Sequence, residues 1–205
     1  MGICLGGIIK MKAIVFIDMQ NDFIDGVLGT PEAQAIVPVM VERLKELDSS
    51  DNLILFTKDT HYEDYLETQE GKNLPVPHCI EGTPGWSINK EISSYIDYGS
   101  HFSGYSSQTI RKGRILKPTF GSCELGELIR NLAAYNGYNF AIDEVILMGV
   151  CTDICVISNA MLIKAYCPEL KVTVDASCCA GVTPESHKNA LAAMKMCQIN
   201  VINED

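Results

Sequence analysis

Short, uniformly apolar runs alternate along the chain with longer stretches in which apolar residues recur at helical spacing. Residues 13–17 are apolar throughout, as in a strand buried on both faces. Residues 53–56 read the same way, 144–148 and 171–174 read as strands that open on a charged residue, 114–116 supplies a shorter run, and 199–202 closes the series. Between these runs, 31–47, 124–135, 153–166 and 184–196 carry the helical spacing, with Pro31 and Pro184 where a fixed φ suits a helix start. Strands alternating with helices imply right-handed crossovers. The pattern therefore predicts one three-layer α/β/α domain on a mostly parallel, Rossmann-like sheet of six strands. The stretch 59–113 breaks the rhythm and is rich in Gly, Pro, Ser and Tyr; a loop that long inside a compact domain usually carries function.

Residues 1–10 are apolar and glycine-rich, too short a run to span a bilayer and without the basic start of a secretory signal. With Met11-Lys12 resembling a natural start, they read as an N-terminal extension before a domain over 11–205. The chain has 205 residues and a formal net charge of −10, with no run of Lys and Arg, which argues against nucleic acid or an anionic membrane as partner. Nine cysteines lie scattered through apolar segments with no CxxC pair. The odd number and the scatter fit reduced thiols in a cytoplasmic protein better than a disulfide framework.

In parallel sheets ligands bind beyond the carboxyl ends of the strands, so the residues just after each run are where chemistry is expected. Asp18 follows the first run in Phe16-Ile-Asp-Met-Gln-Asn-Asp-Phe23, and Lys117 follows 114–116 in Leu116-Lys-Pro-Thr-Phe-Gly-Ser122. Gly149-Val-Cys-Thr-Asp-Ile-Cys-Val156 leads from the 144–148 run straight into a helix and holds Cys155. Taken singly, these would pass for a turn residue, a solvated charge and core filler. Together they offer a base, a cation and a nucleophile. The Lys117 charge and the helix N-terminus would be expected to lower the thiol pKa, and Asp18 to accept its proton. After the second run, Thr57-Lys-Asp-Thr-His61 sets Asp59 two residues before His61, and His78 arrives in Leu74-Pro-Val-Pro-His-Cys79. Mixed nitrogen and oxygen donors suit zinc, iron or manganese, with Glu67 or Glu70 available as a further ligand.

These segments resemble the cysteine hydrolase superfamily that includes nicotinamidases, isochorismatase-like proteins and N-carbamoyl amidases. Gly149–Val156 is the most specific match, followed by Phe16–Phe23; Val174-Asp-Ala-Ser-Cys-Cys-Ala180 and Pro184-Glu-Ser-His187 resemble the family's last strand and helix. The resemblance implies a catalytic triad of Asp18, Lys117 and Cys155, a cis peptide before Cys151, and an oxyanion hole from the backbone N–H groups of Cys151 and Cys155. The D-x-H and P-x-H-C motifs match the nicotinamidase and pyrazinamidase branch. They imply one divalent ion, zinc first, on Asp59, His61 and His78, with Glu70 preferred over Glu67 as fourth ligand. Phe23 and Trp86 are then the expected substrate contacts. Pro75 stands where that branch usually has an aromatic residue. The implied reaction is hydrolysis of nicotinamide to nicotinate and ammonia through a thioester. A related amidase or carbamoyl hydrolase is the alternative, and a non-catalytic metal- or thiol-binding protein a further one. Relatives are often oligomers, which leaves a homo-oligomer open.

Overall fold

In the computed structural model, residues 9–48, 52–95, 112–134 and 140–204 are described. Six strands form one all-parallel sheet: β1 (Ile9–Ile17), β2 (Asn52–Asp59), β3 (Lys112–Lys117), β4 (Phe140–Val150), β5 (Lys171–Ala180) and β6 (Asn200–Ile202), in the spatial order β3-β2-β1-β4-β5-β6. The helices are α1 (Asn21–Ile24), α2 (Pro31–Leu47), α3 (Gln69–Asn73), α4 (Lys90–Ser93), α5 (Cys123–Ala133), α6 (Ile157–Tyr166) and α7 (Pro184–Met196). A 3-10 turn covers Tyr65–Glu67 and a π-helical turn Thr152–Val156.

The central strands are continuous apolar runs because helices cover both their faces. Residues Ala13 to Ile17 of β1 and Leu53 to Phe56 of β2 are all buried, and the rings of Phe16 and Phe56 stack with centroids 5.0 Å apart. At the edge, β3 alternates between buried and half-buried positions, as expected of a strand with only one paired side. Helix α2 packs against β5, while α5 packs on α6 and α6 on α7. Helix α2 starts because the Thr30 hydroxyl accepts from the Ala33 N–H and Pro31 follows it; Ala33, Ile36, Val37, Met40 and Leu44 then form one buried stripe.

Several boundaries differ from the pattern's prediction; β4 and β5, for instance, span Phe140–Val150 and Lys171–Ala180, well beyond 144–148 and 171–174. β1 begins at Ile9 and pairs Ile9 with Phe140 and Lys10 with Ala141, so the strand starts four residues before the apolar run 13–17. The helix expected over 153–166 is regular only from Ile157, since its start is wound as the π-helical turn. Residues 59–95 fold into short helices and turns; the rest of that long stretch, 96–111, lies outside the described residues.

The strand order reverses between β1 and β4. From β1 the chain proceeds to β2 and β3 on one side, then returns to β4 and proceeds to β5 and β6 on the other. Loops leaving β1 and β4 diverge at such a point and leave a crevice beyond the carboxyl ends of the strands.

Candidate active site

Asp18 is the first residue past β1, fully buried, with a left-handed φ of 50°. Its conformation is held by Thr57 on the adjacent strand, whose hydroxyl donates to Asp18 Oδ1 at 2.7 Å while the Asp18 N–H donates back to Thr57 Oγ1 at 3.2 Å. Lys117 ends β3 and is 1% exposed, although it is a lysine on an edge strand. Its Nζ lies 2.6 Å from Asp18 Oδ2, 3.4 Å from Asp59 Oδ1 and 3.6 Å from Cys155 Sγ. The carboxylate, ammonium and thiol that the sequence places far apart thus meet at one point.

Cys155 sits inside the π-helical turn that begins at Thr152, immediately after the cis peptide Val150–Cys151. Such a turn leaves its first N–H groups without partners inside the helix. Asn159, one turn on, donates to the Cys155 carbonyl at 2.8 Å and accepts from the Ser122 N–H at 2.9 Å, tying the turn to the start of α5. Burial pushes the Cys155 thiol well above its ordinary value, and Lys117 only partly opposes it. The expectation of a lowered thiol pKa is therefore corrected: the site is too dry for a resting thiolate. Burial raises the Asp18 carboxyl as well, against the pull of Lys117. Lys117 is also disfavoured by burial, but the carboxylates of Asp18 and Asp59 beside it outweigh that and keep it charged. Asp18 Oδ2 faces the Lys117 ammonium at 2.6 Å, the distance of a charge-assisted contact.

A second cluster adjoins the first. Asp59 at the end of β2, His61, Glu70 on α3 and His78 present donor atoms that all lie within 4.8 Å of one another. His61 Nε2 is 2.9 Å from Asp59 Oδ2 and 3.6 Å from Glu70 Oε1; His78 Nε2 is 3.5 Å and 3.7 Å from the same two oxygens. Tetrahedral ligands with bonds of about 2.0–2.2 Å lie roughly 3.4 Å apart, so the spacing fits a four-coordinate ion with only small adjustments. His78 Nδ1 lies 2.9 Å from the Val76 carbonyl, which only accepts; Nδ1 therefore carries the hydrogen and Nε2 faces the cluster. Glu67 is not part of the group.

Sequence reasoning passed over the residues that hold these loops. Gln20 is fully buried; its amide donates to the carbonyls of Asp59 at 2.8 Å and Trp86 at 3.0 Å and accepts from the Asp59 N–H at 2.7 Å. Asp22 accepts from the Cys79 N–H at 2.7 Å, and Asn21 donates to the Pro84 carbonyl at 2.8 Å. The polar residues after Asp18 therefore bind the His78 loop to the end of β1. Their signal was visible, since three amide or carboxylate side chains directly after a buried strand need partners.

A cavity of about 290 Å³ connects the two clusters, lined by Cys151, Cys155, Asp59, Glu70 and His78 and walled by Phe23, Leu28, Leu74, Phe120, Ile154 and Val182. Phe23 lies in this wall and packs against His78, with ring centroids 5.4 Å apart. Trp86 does not line it. Its indole N–H donates to Thr60 Oγ1 at 2.9 Å and Lys58 Nζ covers its ring, because Lys58 projects from the face of β2 opposite to Asp59. Pro75 is also absent from the wall, and its neighbour Leu74 is present.

Residues 12–205 match the isochorismatase domain family. The nicotinamidase of Schizosaccharomyces pombe is 25% identical over 226 residues, covering 94% of this chain and 93% of that protein. The crystal structure of a pyrazinamidase/nicotinamidase from Streptococcus mutans is 27% identical with a TM-score of 0.75, over 93% of this chain and 99% of that one. A pyrazinamidase of Pyrococcus horikoshii in complex with zinc shares the fold with a TM-score of 0.67 at 23% identity, over 93% and 98% of the two chains.

Proposed function

Because the chain belongs to the isochorismatase domain family, we propose that the Asp18, Lys117 and Cys155 cluster hydrolyses nicotinamide to nicotinate and ammonia. The chain is an amidohydrolase, and nicotinamide is the substrate that its nicotinamidase relatives favour by name. One observation carries the reading: Cys155 and three members of the four-donor cluster, Asp59, Glu70 and His78, line the same small cavity, and the buried Lys117 ammonium joins Asp18 to both.

In the mechanism we propose, Asp18 takes the proton of Cys155 as the sulfur attacks the carboxamide carbon, and Lys117 stays charged beside both. The carbonyl oxygen becomes an oxyanion facing the backbone N–H groups of Cys151 and Cys155. The C–N bond breaks as Asp18 returns the proton to nitrogen, releasing ammonia and leaving a thioester on Cys155. Water, deprotonated by Asp18, then adds to the thioester carbon; the acid leaves and the thiol recovers its proton. Asp59, His61, Glu70 and His78 would hold a divalent ion, which, on taking a further ligand, would bind and orient a ring nitrogen of the substrate. The apolar walls, Phe23 among them, hold the ring. With this function go zinc as the ion, as in the Pyrococcus relative, and the cytoplasm as the compartment; among the described residues no helix is long and apolar enough to cross a membrane.

A second reading within the same chemistry, another small amide, is favoured by one observation. The wall carries the aliphatic Leu74 where a flat ring would gain from an aromatic partner. The test is ammonia release from nicotinamide and a panel of small amides by zinc-loaded protein, before and after chelation. Release from nicotinamide that is lost on chelation and restored by zinc is the expected result. Release from other amides only, or release unaffected by chelation, would contradict the substrate or the metal respectively.

A further inference from the structure

Helix α7 reaches the nucleophile turn through a side chain that the mechanism above leaves unused. Thr152, directly after Cys151, is fully buried, and its Oγ1 shares a 2.8 Å hydrogen bond with Nδ1 of His187 on α7. The His187 ring is half-buried, and burial holds it below its ordinary value, so at neutral pH it is a neutral imidazole whose Nδ1 and the Thr152 hydroxyl pair in either sense. A second bond ties the same turn to the loop just before α7: the Val182 N–H donates to the Asp153 carboxylate at 3.1 Å. The start of α7 is itself fixed by the reciprocal cap between Thr183 and Ser186. Gly181 gives the ring its place, since a Cβ there would come within 2.9 Å of His187. His187 therefore does not reach Thr152 on a loose surface loop; it stands on a pinned helix end and holds the only side-chain hydroxyl in the Cys151–Cys155 segment.

We infer that His187 is a positioning residue for amide hydrolysis, fixing through Thr152 the turn whose Cys151 and Cys155 N–H groups receive the oxyanion. This rests on the reading of those two N–H groups given above. Donors aimed at a developing charge are effective only where they do not have to move to meet it. A substrate carbonyl in the ground state asks little of the turn, so loosening it falls on turnover rather than on substrate binding.

Four variants test this as zinc-loaded proteins: His187→Leu, which keeps the bulk without the hydrogen-bonding nitrogen; His187→Asn, whose amide sits near the Nδ1 position; Thr152→Val; and the His187→Leu/Thr152→Val double variant. Each is assayed for kcat and KM on nicotinamide and for inhibition by pyridine-3-carbaldehyde. Cys155 sulfur adds to the aldehyde carbon, the C=O π bond opens, and the thiol proton passes by way of Asp18 to the oxygen, which lies where the oxyanion would. For His187→Leu the expected result is a fall in kcat of about 10- to 100-fold and a similar weakening of the aldehyde, with KM within about twofold. His187→Asn should recover most of the loss, and the double variant should be no worse than the worse single. An unchanged kcat, a loss confined to KM, or additive losses in the double variant would overturn the inference. Should His187→Leu fail to fold, His187→Gln, which reaches past the Nδ1 position, takes its place. Wild-type silence on every amide would refute the amidase reading, while the aldehyde measurements would still decide the part played by His187.

Discussion

Cys155 keeps its proton at rest because the surrounding residues exclude water more effectively than Lys117 stabilises a thiolate. The proton therefore moves only when a substrate carbon is within reach, and Asp18 is the acceptor. Its carboxyl is raised by burial against the pull of Lys117, which sets a pH requirement. The base works ionised, and a raised pKa means that the ionised form is lost as pH falls through a value above the ordinary 3.8. Profiles of kcat/KM should thus show an acid limb above about pH 4. Asp18→Asn should lose the limb together with at least about 100-fold of the rate. An acid limb at or below the ordinary carboxyl value, or a nearly active Asp18→Asn, would remove Asp18 from the role of base.

At the level of elements, the strands were legible because central parallel strands are apolar on both faces. The runs 13–17 and 53–56 name the middle of β1 and β2 directly, and helices α2 and α7 announce themselves with proline at their first positions. The unusual start before α6 was not legible. Nothing in Thr-Asp-Ile-Cys-Val distinguishes a π-helical from an α-helical turn, since the difference depends on how β4, α6 and α7 pack around it. Gly149 is part of that constraint. It has a φ of 132°, and a Cβ there would run into the Ile17 carbonyl on the neighbouring strand. Gly149→Ala should lower unfolding stability by at least about 2 kcal/mol in denaturant titrations. An unchanged midpoint would mean that β1 and β4 can separate at this point without cost.

For the whole molecule, chain order and sheet order together explain how residues as distant as Asp18, Lys117 and Cys155 meet. Each ends or follows a strand, all strands are parallel, and the order reverses between β1 and β4, so the three converge on the same crevice. That much follows from pattern and position. The thiol's protonation, the displacement of Trp86 toward Lys58 and the contact between Thr152 and His187 do not, because each is decided by burial and by packing between elements remote in sequence. The central claim, amide cleavage through a thioester on Cys155, is tested most directly by acid-quenching zinc-loaded protein during turnover of nicotinamide and locating the acyl group by peptide mass spectrometry. A nicotinoyl group on the peptide containing Cys155, absent with Cys155→Ala, which also releases no ammonia, is the predicted result. Ammonia release by Cys155→Ala, or an acyl group on another residue, would contradict it.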